Sequence, residues 1–146
     1  DDLVDEVNWR HQTEDWMPIR FLRAHHDYHA VLASYRLADA LMVTSLHDGM
    51  NLVAKEFISA RTDGDGVLLL SQYTGAAREL ADALLVNPYD IDELADAMHA
   101  ACVMPEKERK VRMKRMRSQV QRHTVFDWGA RIFEELEHIR PVKEVA

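Results

Sequence analysis

An α/β fold on a doubly wound, mostly parallel sheet is what this chain predicts. Short apolar runs alternate with amphipathic stretches at strand–helix–strand intervals. One run, Val67-Leu68-Leu69-Leu70, is continuous, as a parallel strand covered on both faces requires. Turns rich in Gly, Asn and Asp separate the units.

Taken in order, Ile19-Arg20-Phe21-Leu22 reads as a first strand after Pro18. Asp27 then caps a helix with Tyr28, Val31, Leu32, Tyr35 and Leu37 on overlapping faces. Ala40 to Thr44 is a second strand. Asn51 opens the next helix, whose apolar residues are Leu52, Val53, Phe57 and Ile58, and Asp63-Gly64-Asp65-Gly66 ends it with a turn. Val67 to Leu70 is the third strand, Thr74-Gly75 starts a short helix through Leu80, and Leu84-Leu85-Val86 is the fourth strand, stopped by Asn87-Pro88-Tyr89-Asp90. From there the chain reads as helical: Ile91 to Val103, Glu106 to Arg122 after Pro105, and Phe126 to Ile139.

At 146 residues, 47% of them apolar, the chain has material for one domain with a proper core. The expectation is a single domain over 1–146. Its C-terminal helical segment, 122–146, packs on that domain or reaches beyond it. Cys102 is the one cysteine, which leaves no internal disulfide and fits a reducing, cytoplasmic setting. Beside Met98 and Ala101 it reads as a core residue rather than a nucleophile. No run approaches the roughly 18 apolar residues of a membrane span, and the acidic start is unlike a signal peptide. The net charge of −7 argues against nucleic acid, although eight Lys or Arg fall between Lys107 and Arg122. That basic stretch lacks interleaved aromatics and reads as a solvated helix face with Val111, Met113, Met116 and Val120 turned inward.

Ligands of open α/β sheets bind beyond the carboxyl ends of the strands. The informative loop is therefore the one that leaves the second strand, Asp48-Gly49-Met50-Asn51, and enters the helix Leu52-Val53-Ala54-Lys55-Glu56. A Gly turn followed by an Asn cap leaves the first amides of that helix aimed at one spot, which favours a phosphate or sugar oxygen. Glu56 lies one turn beyond Leu52 on the same face. A carboxylate there repels phosphate and accepts hydrogen bonds from a ribose diol, the division of labour by which nucleotide sites read phosphate and ribose separately. His25 and His29 are one helical turn apart, but no clear third ligand completes a metal site.

The runs Tyr35 to Asp39, Val43 to Glu56, Leu70 to Leu80 and Leu85 to Asp90 resemble the trehalose-6-phosphate synthase family, retaining glycosyltransferases of the GT-B fold. The resemblance extends from about Val7 to Ile139 and matches the carboxyl-terminal half of the family, a Rossmann-like domain. It implies a fragment of a two-domain enzyme that moves glucose from UDP-glucose to glucose 6-phosphate, giving trehalose 6-phosphate. In family terms Asp48, Gly49, Met50 and Asn51 hold the donor sugar, the amides of Leu52 and Val53 hold the diphosphate, and Glu56 binds the ribose. His26 falls at a position that contacts the uridine. Asp48 is the candidate catalytic contact, without an acid or base role. The implied mechanism is front-faced and needs no metal or other cofactor, and the absent amino-terminal domain supplies the acceptor side. Two alternatives stay open: another acceptor, as in glucosylglycerol-phosphate synthases, or a non-catalytic sugar-nucleotide-binding or interaction domain. A homo-oligomer is also left open.

Overall fold

The computed structural model of the chain describes residues 2–138. The backbone divides into two compact units between Val31 and Leu32.

The first unit begins with α1 (Asp2–His11), which the sequence reading did not assign. Asp2 and Asp5 stand in its first turn and Arg10 and His11 in its last, the arrangement that complements the helix dipole. Asp27 caps α2 (Tyr28–Leu37), its Oδ1 accepting from the Ala30 amide at 2.8 Å. The strand expected over Ile19 to Leu22 does not form. The Ile19 amide and carbonyl are both taken by the side chain of Asn8, at 2.9 Å each, so this residue has no ladder bonds to offer. Phe21 and Leu22 are exposed.

The second unit holds a three-stranded parallel sheet in the order β1 (Ala40–Val43), β2 (Val67–Ser71), β3 (Leu84–Val86). Ala40 is paired with Val67, Val43 with Leu70, and Ser71 with Val86. The apolar run of β2 is buried at every position, as its continuity predicts. Val67 and Leu69 pack on Ala101 and Met104 around α4 (Ile91–Val103). Alternation along the strand turns Leu68 and Leu70 to the opposite face, and both are buried there. That is the face left for α3 (Leu52–Ala60) and α5 (Glu106–Arg122), which pack on each other and on β1 and β2 respectively. Phe57 and Ile58 of α3 and Met113 of α5 are fully buried; each contributes about 1.5–3 kcal/mol on hydrophobic transfer.

The basic stretch of α5 does more than meet solvent. Met113 and Met116 point inward, but Val111 is exposed, contrary to the expected stripe. Three arginines instead satisfy carbonyls near helix ends. Arg61, just after α3, reaches the carbonyls of Tyr35 and Arg36 in the last turn of α2 and of Ala38 just beyond it. Arg117 of α5 donates to Ile58, Ser59 and Arg61 at the end of α3. Arg109 donates to Met104 after α4 and forks onto Asp65 with two bonds of 2.8 Å. These helix ends would otherwise leave orphan acceptors.

Cys102 is exposed rather than part of the core. The last helix, α6 (Val125–His138), begins one residue before its expected start, and the expected Ile139 end and residues 139–146 lie outside the described residues. Among the described residues no helix is long and apolar enough to cross a membrane.

Candidate functional site

The loop leaving β1 is held by its own side chains. Asp48 Oδ1 accepts from the amides of Met50 at 3.0 Å and Asn51 at 2.8 Å, and Oδ2 accepts from Asn51 Nδ2 at 3.0 Å. These bonds, the Met50 amide first among them, hold the Asp48 carboxyl below its ordinary range. Asn51 sits in the left-handed region at φ 58°, which Asn tolerates better than most residues. From there its side chain caps α3 by accepting from the Ala54 amide at 2.9 Å.

Because α3 starts at Leu52, the amides of Leu52 and Val53 are its first two and have no acceptor within the helix. Both residues carry exposed side chains, as does Met50. Glu56 lies one turn on, exposed, with Oε2 accepting from the Tyr35 hydroxyl at 3.3 Å. Asp48 through Val53 form one loop-to-helix junction, and Glu56 lies one turn along the helix that it opens.

A second loop locks onto the first. The Gly75 amide donates to the Asp48 carbonyl at 2.9 Å, and Asp48 and Thr74 form an isolated parallel bridge. A Cβ on Gly75 would lie 2.0 Å from the Gly49 carbonyl oxygen, so only glycine fits. Ser71 and Thr74 are buried and spend their hydroxyls on this loop: Ser71 Oγ accepts from the Tyr73 amide, and Thr74 Oγ1 donates to the Ser71 carbonyl. Lys55 of α3 donates to Glu79 at 2.8 Å and ties the helix to the segment after Gly75.

These two loops and the start of α6 enclose a cleft of about 360 Å³. Gly49, Met50, Leu52, Lys55, Gly75 and Glu79 form one wall; His123, Thr124, Val125, Asp127, Trp128 and Arg131 form the other. Arg131 Nη2 lies 3.1 Å from His123 Nδ1. Among the described residues no group of three His, Cys, Asp or Glu is placed to hold a metal. His26 belongs to the first unit and is exposed in the loop before α2.

Sequence reasoning missed Gly75, Tyr35 and the Lys55–Glu79 pair. Gly75 was legible as the start of a short helix and Tyr35 as an apolar helix position; nothing local announces that either meets the other loop or Glu56.

The family model described as Glycosyltransferase family 20 matches residues 1–138. The chain belongs to glycosyltransferase family 20. A trehalose-6-phosphate synthase of Klebsiella pneumoniae is 45% identical over 130 residues, covering 88% of this chain and 27% of the relative. A solved structure described as trehalose-6-phosphate from E. coli bound with UDP-2-fluoro glucose superposes with a TM-score of 0.88 at 37% identity, covering 97% of this chain and 32% of the other. An α,α-trehalose-phosphate synthase (UDP-forming) of Burkholderia xenovorans in complex with glucose-6-phosphate gives 0.86 at 40%, over 92% and 30%. This family 20 chain therefore spans between a quarter and a third of the length of these relatives. Their shared α/β architecture agrees with the fold class expected from the sequence.

Proposed function

We propose that this chain is the donor-binding part of a retaining glycosyltransferase that moves glucose from UDP-glucose to glucose 6-phosphate and forms trehalose 6-phosphate. The observation that carries the reading is the junction itself. Two free helix amides stand at the end of a loop fixed by Asp48 and Gly75, with a carboxylate one turn along the same helix. Family 20 membership and relatives described as bound with UDP-2-fluoro glucose and with glucose-6-phosphate support the donor and the acceptor.

On this reading the amides of Leu52 and Val53 and the positive end of α3 face the diphosphate, where negative charge grows as the glycosidic bond to the donor breaks. Glu56 accepts the ribose hydroxyls. Asp48 and Asn51 shape the sugar-facing loop, and Asp48 keeps acceptor capacity for a sugar hydroxyl because a carboxylate has about four lone-pair sites. No side chain of this chain acts as acid or base: the departing β-phosphate oxygen takes the proton of the incoming hydroxyl, and no metal step is assigned. Turnover needs both substrates held together, and this chain supplies the donor side. The lone cysteine fits a cytoplasmic enzyme.

The test is ligand-observed NMR of the chain with UDP-glucose, ADP-glucose and GDP-mannose, a method that reaches the millimolar range, about −4 kcal/mol. Selective contact with UDP-glucose that weakens by about 1.5–3 kcal/mol in Glu56→Ala is the expected result. Equal contact with all three ligands, or an unchanged affinity in Glu56→Ala, would sink the assignment.

A further inference from the structure

We propose that Tyr35 is a positioning residue for Glu56 and, through it, for recognition of the ribose diol of a nucleoside diphosphate; the proposal rests on the donor-site reading above. The Tyr35 hydroxyl crosses from α2 to α3 and donates to Glu56 Oε2 at 3.3 Å. Two further contacts fix the tyrosine. Its ring meets Phe57 edge-on, with centroids 6.2 Å apart and planes at 78°, and its carbonyl accepts from the buried guanidinium of Arg61 at 3.4 Å.

Phe57 follows Glu56 in sequence and is fully buried, so the phenol is seated on the same turn of α3 that carries the carboxylate. A glutamate on an exposed helix position ordinarily samples several rotamers. A donor anchored at 9% exposure selects the one that brings Oε2 to the phenol. Oε1 is then presented with both lone pairs to a vicinal diol. Burial first, and then the Glu56 carboxylate, raise the pKa of the phenol, which keeps the proton on the donor side at neutral pH.

The experiment compares UDP with 2′,3′-dideoxy-UDP by ligand-observed NMR on wild type, Tyr35→Phe and Glu56→Ala. Phenylalanine retains the ring contact with Phe57, and urea unfolding verifies the fold. Tyr35→Phe is expected to bind UDP about fivefold more weakly and dideoxy-UDP as wild type does. Glu56→Ala is expected to erase the preference for UDP. If Glu56→Ala erases it and Tyr35→Phe keeps it in full, or weakens both ligands alike, the positioning role is overturned while the ribose role of Glu56 stands. If Glu56→Ala retains the preference, the donor-site reading itself falls. A ligand-free check is the 13C-tyrosine titration: the Tyr35 pKa should drop toward its ordinary value in Glu56→Ala, and an unmoved value rejects the hydrogen bond.

Discussion

Gly75 and Gly49 meet backbone to backbone: a Cβ on Gly75 would stand 2.0 Å from the Gly49 carbonyl oxygen and 2.9 Å from its carbon. Backbone cannot swing aside as a flexible side chain does, so Gly75→Ala must push the two loops apart and break the bond from the Gly75 amide to the Asp48 carbonyl. The expected cost is about 1–3 kcal/mol in urea unfolding, with loss of donor contact. Gly49→Ala is the control. A Cβ there meets nothing within 4 Å, so its unfolding midpoint should match wild type.

Asp48 organises the loop through the amides of Met50 and Asn51 and the Asn51 side chain. Its pKa is lowered, so the stabilisation it provides is present above the ordinary carboxylate range and is lost as pH falls through the folded value. Asp48→Ala should abolish donor contact and expose the Met50 and Asn51 amides at neutral pH. Hydrogen exchange reads this directly: those two amides should exchange faster in the variant. Unchanged protection would show that the loop holds its shape by other means.

How much of this was legible follows from where each determinant lies. The β2 run, the Asn51 cap and the Glu56 position are local patterns, and the structure places them as read. The failed strand at Ile19 to Leu22 was decided by Asn8, eleven residues away, whose side chain occupies both backbone groups of Ile19. Gly75, Tyr35 and Lys55 owe their roles to contacts across 21 to 27 positions, which no periodicity encodes. The arginines of α5 were misread for the same reason. Composition shows a basic face, while the carbonyls they satisfy lie at the end of α3 and just after α4.

The ion pair between Asp65 and Arg109 can be tested by titration. The Arg109 hydrogen bond is the largest influence on Asp65 and takes its pKa from 3.8 down to about 2. A depressed carboxylate stabilises the fold above its unfolded pKa and loses that contribution as pH falls through its folded pKa. The window is therefore between about 4 and 2. With the two side chains 21% and 30% exposed, screening leaves about 1 kcal/mol. Asp65→Asn should be less stable than wild type by that amount at pH 7 and equal to it near pH 2. Urea midpoints at the two pH values check this, and a gap that persists at low pH would point to packing rather than charge.

Arg117 is the clearest case of a charged side chain retained for the backbone. Its Nη1 lies 2.8 Å from the Ile58 carbonyl, 3.2 Å from Ser59 and 2.8 Å from Arg61, at the C-terminal end of the helix that carries Glu56. Arg117→Ala leaves those acceptors to water or to nothing, and should cost about 1–3 kcal/mol in unfolding free energy. Lysine carries the charge without the planar fork and is expected to recover only part of the loss. Lys114 is exposed on the same helix, so Lys114→Ala should stay within about 0.5 kcal/mol of wild type. Equal effects at 114 and 117 would return α5 to the status of a solvated face. A large effect at 117 alone, matched by faster exchange of amides in the last turn of α3, would place the support of the Glu56 helix on Arg117.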